Sequence, residues 1–221
     1  MTIVHSGKHQ NGHPWPDFSP TAASHRGMGK HRQGAVPPGH VRIIGGRLRG
    51  SRLSVPMLPG LRPTPQRLRQ TLFDWLAPVI DGARVLDVFA GTGALGIEAL
   101  SRGARHAVFF EQDHGQAQAI EADLARLHQD AATVRHVDAL RALAATAPET
   151  VDIAFVDPPF GSALWGNAAA LLDAHGWIAP DGWVYVESGV DDAWEVPARW
   201  RVHRQRDAGA VRGTLFRLGG D

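Results

Sequence analysis

The chain predicts an α/β fold: a mostly parallel, seven-stranded, Rossmann-like sheet that ends in an antiparallel hairpin, with a separate β-hairpin ahead of it. Three observations carry this prediction. Apolar strand-like runs alternate with helical ones from residue 84 onward. The first run passes straight into the glycine turn Ala90-Gly91-Thr92-Gly93-Ala94-Leu95-Gly96 and then a helix. The last two runs, Trp200 to Arg206 and Val211 to Leu218, follow one another with no helix between them, so one must lie antiparallel.

Residues 1–40 are rich in Gly, Pro, Ser and His with almost no apolar periodicity, and are expected to form a disordered basic extension. Their histidines lack a helical frame or a second ligand cluster, so no metal site is expected. One domain is expected over 41–221. It opens with a hairpin within 41–60, in which Val41-Arg42-Ile43-Ile44 and Arg52-Leu53-Ser54-Val55 flank a turn rich in Gly and Arg. An amphipathic helix within 61–80 follows, with Thr64 as N-cap, Pro65 at its first position, and Leu68, Leu72, Trp75 and Leu76 as its core face.

The strand Arg84 to Phe89 feeds the glycine turn, where Gly91 and Gly93 permit positive φ and close ligand approach and Gly96 permits tight packing of the helix on the sheet. A second strand, His106 to Phe110, ends in Glu111, at the distance expected of a carboxylate that holds a ribose diol, with Gln112 beside it. The glycine pattern alone fits an NAD-binding dehydrogenase equally well. Asp87, at the end of the first strand, tilts the choice: a carboxylate there repels a pyrophosphate and favours a cationic sulfonium such as S-adenosylmethionine. A third strand, Thr133 to Val137, ends in Asp138-Ala139, offering an acceptor and an N–H to an adenine edge. Asp138 also stands as the N-cap of the helix that follows.

The fourth strand, Val151 to Val156, runs into Asp157-Pro158-Pro159-Phe160. An exocyclic base amine is a poor nucleophile because its lone pair is delocalised into the ring, and acceptors on its N–H groups free that pair. Asp157 and the Pro158 carbonyl are such acceptors, since prolines hold the backbone stiff and donate nothing. Phe160 adds a stacking face. The plainer alternative is an Asp-Pro turn at a strand end. Ala163 to Asp173 reads as a crossover helix and Gly182 to Glu187 as a further strand.

Net charge is +1, but it is distributed unevenly. Between Phe18 and Phe73 there are ten Arg and Lys and no acid, whereas residues 74–221 hold 12 of the 23 basic and 21 of the 22 acidic residues, a net −9. A basic front end of this kind is the footprint of phosphate-backbone contact, with Arg42, Arg47, Arg49, Arg52 and Arg67 as the RNA-binding candidates. No cysteine is present, which excludes disulfides and thiolate metal sites. No stretch approaches the length of a membrane span, so a cytoplasmic protein with no membrane partner is expected, and a monomer.

These motifs, in this order, resemble the ribosomal RNA small subunit methyltransferase D family. The resemblance covers nearly everything after His40: Arg42-Ile43-Ile44-Gly45-Gly46, Leu61-Arg62-Pro63-Thr64 with Arg67 and Thr71-Leu72-Phe73, Phe89-Ala90-Gly91-Thr92-Gly93-Ala94-Leu95-Gly96, the Asp157 tetrapeptide, and Tyr185-Val186-Glu187-Ser188. It implies a class I S-adenosylmethionine-dependent methyltransferase acting on the N2 amine of a guanine in 16S rRNA of the small ribosomal subunit, free or partly assembled. It implies cofactor contacts from Arg62, Thr64, Asp87, Phe89, Ala90, Gly91, Gly93, Glu111, Gln112, Asp138 and Ala139, with the 61–80 helix closing over the cofactor, and a catalytic group of Asp157, Pro158, Pro159 and Phe160. The first forty residues depart from the family pattern. An adenine-N6 methyltransferase of DNA or RNA, a protein-glutamine methyltransferase and a non-catalytic RNA-binding assembly factor are the alternatives the same motif admits.

Overall fold

The computed structural model describes residues 40–54, 66–159 and 161–219. The N-terminal extension, Arg62, Thr64, Pro65 and Phe160 lie outside the described residues. A hairpin pairs β1 (His40–Arg42) with β2 (Arg52–Ser54), Val41 opposite Leu53. Helix α1 (Gln66–Leu76) follows. Five strands, β3 (Arg84–Asp87), β4 (His106–Glu111), β5 (Ala132–His136), β6 (Val151–Val156) and β7 (Ile178–Gly189), then run parallel. They are joined by α2 (Ala94–Ser101), α3 (His114–Arg126), α4 (Ala139–Leu143) and α5 (Trp165–Ala174). The chain closes with β8 (Trp200–Ala208) and β9 (Val211–Leu218).

The large sheet has the order β5-β4-β3-β6-β7-β9-β8. β9 inserts between β7 and β8 and is antiparallel to both, leaving β8 at the edge. This is the seven-stranded, mostly parallel sheet with an antiparallel end that the strand runs predict. Because successive side chains point to opposite faces, neighbours in β4 and β6 serve two different cores. Phe110, Ala154 and Val156 pack with Trp177 and Trp165 under α4 and α5, whereas Phe109, Ile153 and Phe155 pack with Tyr185 under α1, α2 and the hairpin. Both faces are therefore covered, as a parallel sheet requires.

Local sequence explains the joints. At Gly96 an added Cβ would lie 2.2 Å from Cε1 of the buried Phe109 ring, so α2 sits against β4 at a distance only glycine allows. Glu98, fully buried in α2, accepts from the backbone N–H groups of Ile44 (2.7 Å) and Gly45 (2.8 Å) and from Arg102 Nε (2.8 Å), pinning the hairpin turn to the helix. Ser101 continues this seam: its carbonyl accepts from Arg47 N–H at 2.8 Å and its hydroxyl from Leu48 N–H at 2.9 Å.

One expectation for α1 is corrected. Its buried face holds Leu68, Leu72 and Leu76 as expected, together with Arg69 and Phe73, and Trp75 is only half-buried at its margin. Arg69 is not part of an exposed basic surface. It is 2% exposed and donates to the Arg42 carbonyl at 2.6 Å, and burial lowers its pKa against the raising effect of Glu98 and Glu187. Among the described residues no helix is long and apolar enough to cross a membrane.

Candidate active site

Strands β3, β4, β5, β6 and β7 all end at one edge of the sheet, and each delivers an acid there: Asp87, Glu111, Asp138, Asp157 and Glu187. They line one pocket of about 750 Å³. The topology explains the gathering, since the strand order reverses between β3 and β6 and leaves a crevice at the carboxyl edge.

The glycine turn forms the pocket floor. Gly91 and Gly93 adopt φ of 55° and 72°, the left-handed conformation that the sequence reserves for glycine there. Gly93 N–H closes the turn onto the Ala90 carbonyl at 2.7 Å, and Ala90 N–H is held by the Phe110 carbonyl at 2.9 Å, which ties the turn to β4. Phe89 and Ala90 line the pocket beside it.

Asp87 is 2% exposed and accepts from Gly96 N–H, in the first turn of α2, at 3.0 Å. Burial pushes its carboxyl up to about 7 from 3.8; the Gly96 hydrogen bond opposes the shift, and Asp157 and Glu111 add to it. Glu111 bridges two backbone donors, Gly91 N–H and Asp113 N–H, each at 2.7 Å. Its pKa is also raised, chiefly by burial. Next to it, Gln112 lines the pocket and its carbonyl lies 3.0 Å from His136 Nε2. Asp138 caps α4 by accepting from Arg141 N–H at 2.8 Å while its residue and Ala139 line the pocket, so the capping and lining roles coexist. On the opposite wall stand Asp157, half-buried, with Pro158 and Pro159.

Several lining residues were not singled out as site residues from the sequence. Gln116, in the first turn of α3, is 7% exposed, and its Oε1 is a buried acceptor without a partner among the described residues. Glu187 is 5% exposed and accepts from the Tyr185 hydroxyl at 3.0 Å, while Trp165 Nε1 donates to its carbonyl. Tyr185 is raised well above its ordinary value by burial, with Glu187 and Asp157 adding to the shift. Glu187 shares the sequence signal of Glu111, an acid closing an apolar strand. The turn residues Ala208 and Ala210 reach the pocket only through the placement of β9.

Of the other candidates, Arg42, Arg47, Arg49, Arg52 and Arg67 are all exposed, and Arg47 donates to Gln129 Oε1 at 2.6 Å. The turn that carries Arg47 and Arg49 is bonded to Ser101, at the end of α2 remote from the pocket. None of these arginines, and no residue of α1, is among the described lining residues.

The charged residues of the described lining are Asp87, Glu111, Asp113, Asp138, Asp157 and Glu187, with no Lys, Arg or His among them. That donor set repels phosphate and attracts a cation, while the unpartnered Gln116 Oε1 fits a ligand N–H. The residues present thus fit S-adenosylmethionine and do not fit a dinucleotide. No cluster of three or more His, Asp or Glu that can hold a metal occurs among the described residues.

The sheet order, the glycine turn and this acid-lined edge define a Rossmann-like methyltransferase. The profile of the family described as "Conserved hypothetical protein 95" matches residues 41–217. The chain is 47% identical over 179 residues to the ribosomal RNA small subunit methyltransferase D of Escherichia coli K12, covering 80% of this chain and 90% of that protein. It is 38% identical over 181 residues to the protein of the same name from Haemophilus influenzae, covering 80% and 94%. The solved structure of yhhF from Escherichia coli superposes with a TM-score of 0.75 at 45% identity, covering 83% of this chain and all of that one (100%). An RNA methyltransferase of Salinibacter ruber solved with S-adenosyl-L-homocysteine shares the fold alone, at a TM-score of 0.56 and 15% identity over 72% of this chain and 95% of that one. This chain belongs to the ribosomal RNA small subunit methyltransferase D family.

Proposed function

We propose that this protein transfers a methyl group from S-adenosylmethionine to the exocyclic N2 amine of a guanine in the 16S rRNA of the small ribosomal subunit. The observation that carries this reading is the juxtaposition, in one pocket, of an acid-only cofactor wall and the Asp157-Pro158-Pro159 wall. The names of the curated relatives, small subunit rRNA methyltransferases, support the RNA as substrate.

When bound, S-adenosylmethionine supplies an electrophilic methyl carbon on a cationic sulfur. The residues that would hold it are those of the glycine-turn side. Glu111 offers carboxylate lone pairs to a ribose diol, Asp138 and Ala139 an acceptor and an N–H to the adenine edge, and Gln116 Oε1 a further acceptor. Asp87 contributes negative charge near the sulfonium once it is ionised.

Asp157 and the Pro158 carbonyl accept the two N–H groups of the amine, which draws its lone pair out of conjugation and aims it at the methyl carbon. Orientation of this kind lowers the barrier by several kcal/mol, up to about 7–11 in well-aligned systems, so a strong general base is unnecessary. The nitrogen sheds one proton as it becomes a secondary amine, and the Asp157 carboxylate is the acceptor at hand. Phe160 is the stacking surface proposed for the base, and Arg62 and Thr64 are proposed cofactor contacts from the segment ahead of α1. A guanine in a paired helix must be extruded at a cost of a few kcal/mol, one in an open loop at less.

The test is transfer of labelled methyl to small subunits that lack native modification, with the product nucleosides resolved by mass spectrometry. N2-methylguanosine is the expected product. N6-methyladenosine would move the target to another base, and no transfer to RNA would refute the reading.

A further inference from the structure

The pocket ends at the turn between β8 and β9, and β8 itself is an edge strand whose residues 201–207 are all exposed. β8 runs parallel to β7, since both pair antiparallel with β9, so it climbs from the base of the sheet to the pocket rim at Ala208. Along it lie Arg201, Arg204 and Arg206.

Strand alternation alone would put Arg201 and Arg204 on opposite faces, because they are three residues apart. The register instead shifts between Val202 and Arg204, and this bulge inserts one residue. Pairing across β9 then fixes the result. Arg201 lies opposite Arg217, which lies opposite Trp183; Arg204 opposite Leu215, which lies opposite Tyr185; Arg206 opposite Gly213, which lies opposite Glu187. Trp183, Tyr185 and Glu187 alternate along β7 on one face, so the three arginines share that face.

Two further cations border it. Arg217 is exposed beside Arg201, its guanidinium 5.4 Å from the Trp183 ring centroid and 3.4 Å from Asp181 Oδ1. Arg67 is exposed in the first turn of α1, next to Leu68, whose Cδ1 would lie 3.0 Å from a Cβ at Gly213. The single acid of β8, Asp207, faces the other way and is engaged through both oxygens by Arg212, at 2.8 and 2.9 Å.

We propose that the β8 face, with Arg201, Arg204 and Arg206 aligned by the bulge, is a track for the phosphodiester backbone of the substrate RNA that leads to the pocket rim. It rests on the reading of the substrate as RNA. At about 3.3 Å per residue the ladder spans roughly 16 Å, enough for successive phosphates, and Arg binds each through a planar fork. Positive charge on an edge strand also blocks edge-to-edge pairing. That role alone leaves RNA affinity untouched.

The experiment is filter binding of transcribed 16S rRNA to the full chain as a function of salt. It compares wild type, the triple variant Arg201→Gln, Arg204→Gln, Arg206→Gln, and the triple Lys variant at the same positions. The Gln variant is expected to lose at least tenfold in affinity near ~0.1 M salt and to flatten the log–log salt slope by about 2, from ~0.7 per single-strand contact. The Lys variant should keep most of that slope, and both should keep the wild-type melting temperature and S-adenosylmethionine affinity. A Gln variant within twofold of wild type with an unchanged slope overturns the proposal, as does a wild type that does not bind the RNA. Wild-type binding without methyl transfer would sink the functional reading and leave the track standing.

Discussion

Asp87 links pH to cofactor affinity. Its carboxyl is buried in the pocket wall and pushed up to about 7, so near neutrality it is partly protonated in the ligand-free protein. A cationic ligand beside it favours the ionised form, and binding at lower pH must first remove the proton. With the pKa at about 7, the ionised fraction rises from about 3% at pH 5.5 to about 75% at pH 7.5, some 25-fold, or ~1.9 kcal/mol of binding free energy. The dissociation constant of S-adenosylmethionine, measured by titration calorimetry, should therefore tighten by about an order of magnitude across that range. Asp87→Asn should bind more weakly at pH 7.5 and show a much flatter profile. Equal slopes in wild type and Asp87→Asn would refute the assignment. The same shift carries a sign for folding: folded Asp87 holds a proton that the unfolded chain has released, so ligand-free stability falls as pH rises from about 4 to about 7. Asp87→Asn should remove part of that fall in a melting-temperature series.

Two further substitutions separate binding from architecture. Glu111→Ala should weaken S-adenosylmethionine at least tenfold, since it removes the ribose acceptor and frees the Gly91 and Asp113 N–H groups that it ties down; an unaltered dissociation constant would contradict the ribose role. Gly96→Ala places a Cβ 2.2 Å from Phe109 Cε1. Overpacking of about 1–3 kcal/mol, set against a helix-propensity gain of up to ~1 kcal/mol, should lower stability in a denaturant titration, and a stabilised variant would show that the ring yields freely.

The acids at strand ends were legible because their signal is local. Asp87, Glu111, Asp138 and Asp157 each terminate or closely follow an apolar run, and a parallel sheet brings such ends together whatever its strand order. Gln116 was not legible, because its orphaned acceptor is a property of burial and not of its neighbours in sequence. Nor was the contribution of Ala208 and Ala210, which depends on β9 inserting beside β7. Arg69 is one of ten cations in an acid-free segment, and nothing in its local sequence marks it as buried. It lies on the buried stripe of α1, and its burial depends on the Arg42 carbonyl and on charges supplied from Glu98 and Glu187, far away in sequence. Arg201 and Arg204 stand three residues apart in sequence, and only the register shift puts them on one face.

The role of Asp157 is decided by single-turnover methyl transfer by Asp157→Ala with S-adenosylmethionine and RNA both saturating, paired with the cofactor dissociation constant. The expected rate is lower by about 10²–10³, the usual cost of removing a group that acts on the reacting atoms, with cofactor affinity within twofold of wild type. A rate within threefold of wild type would contradict it.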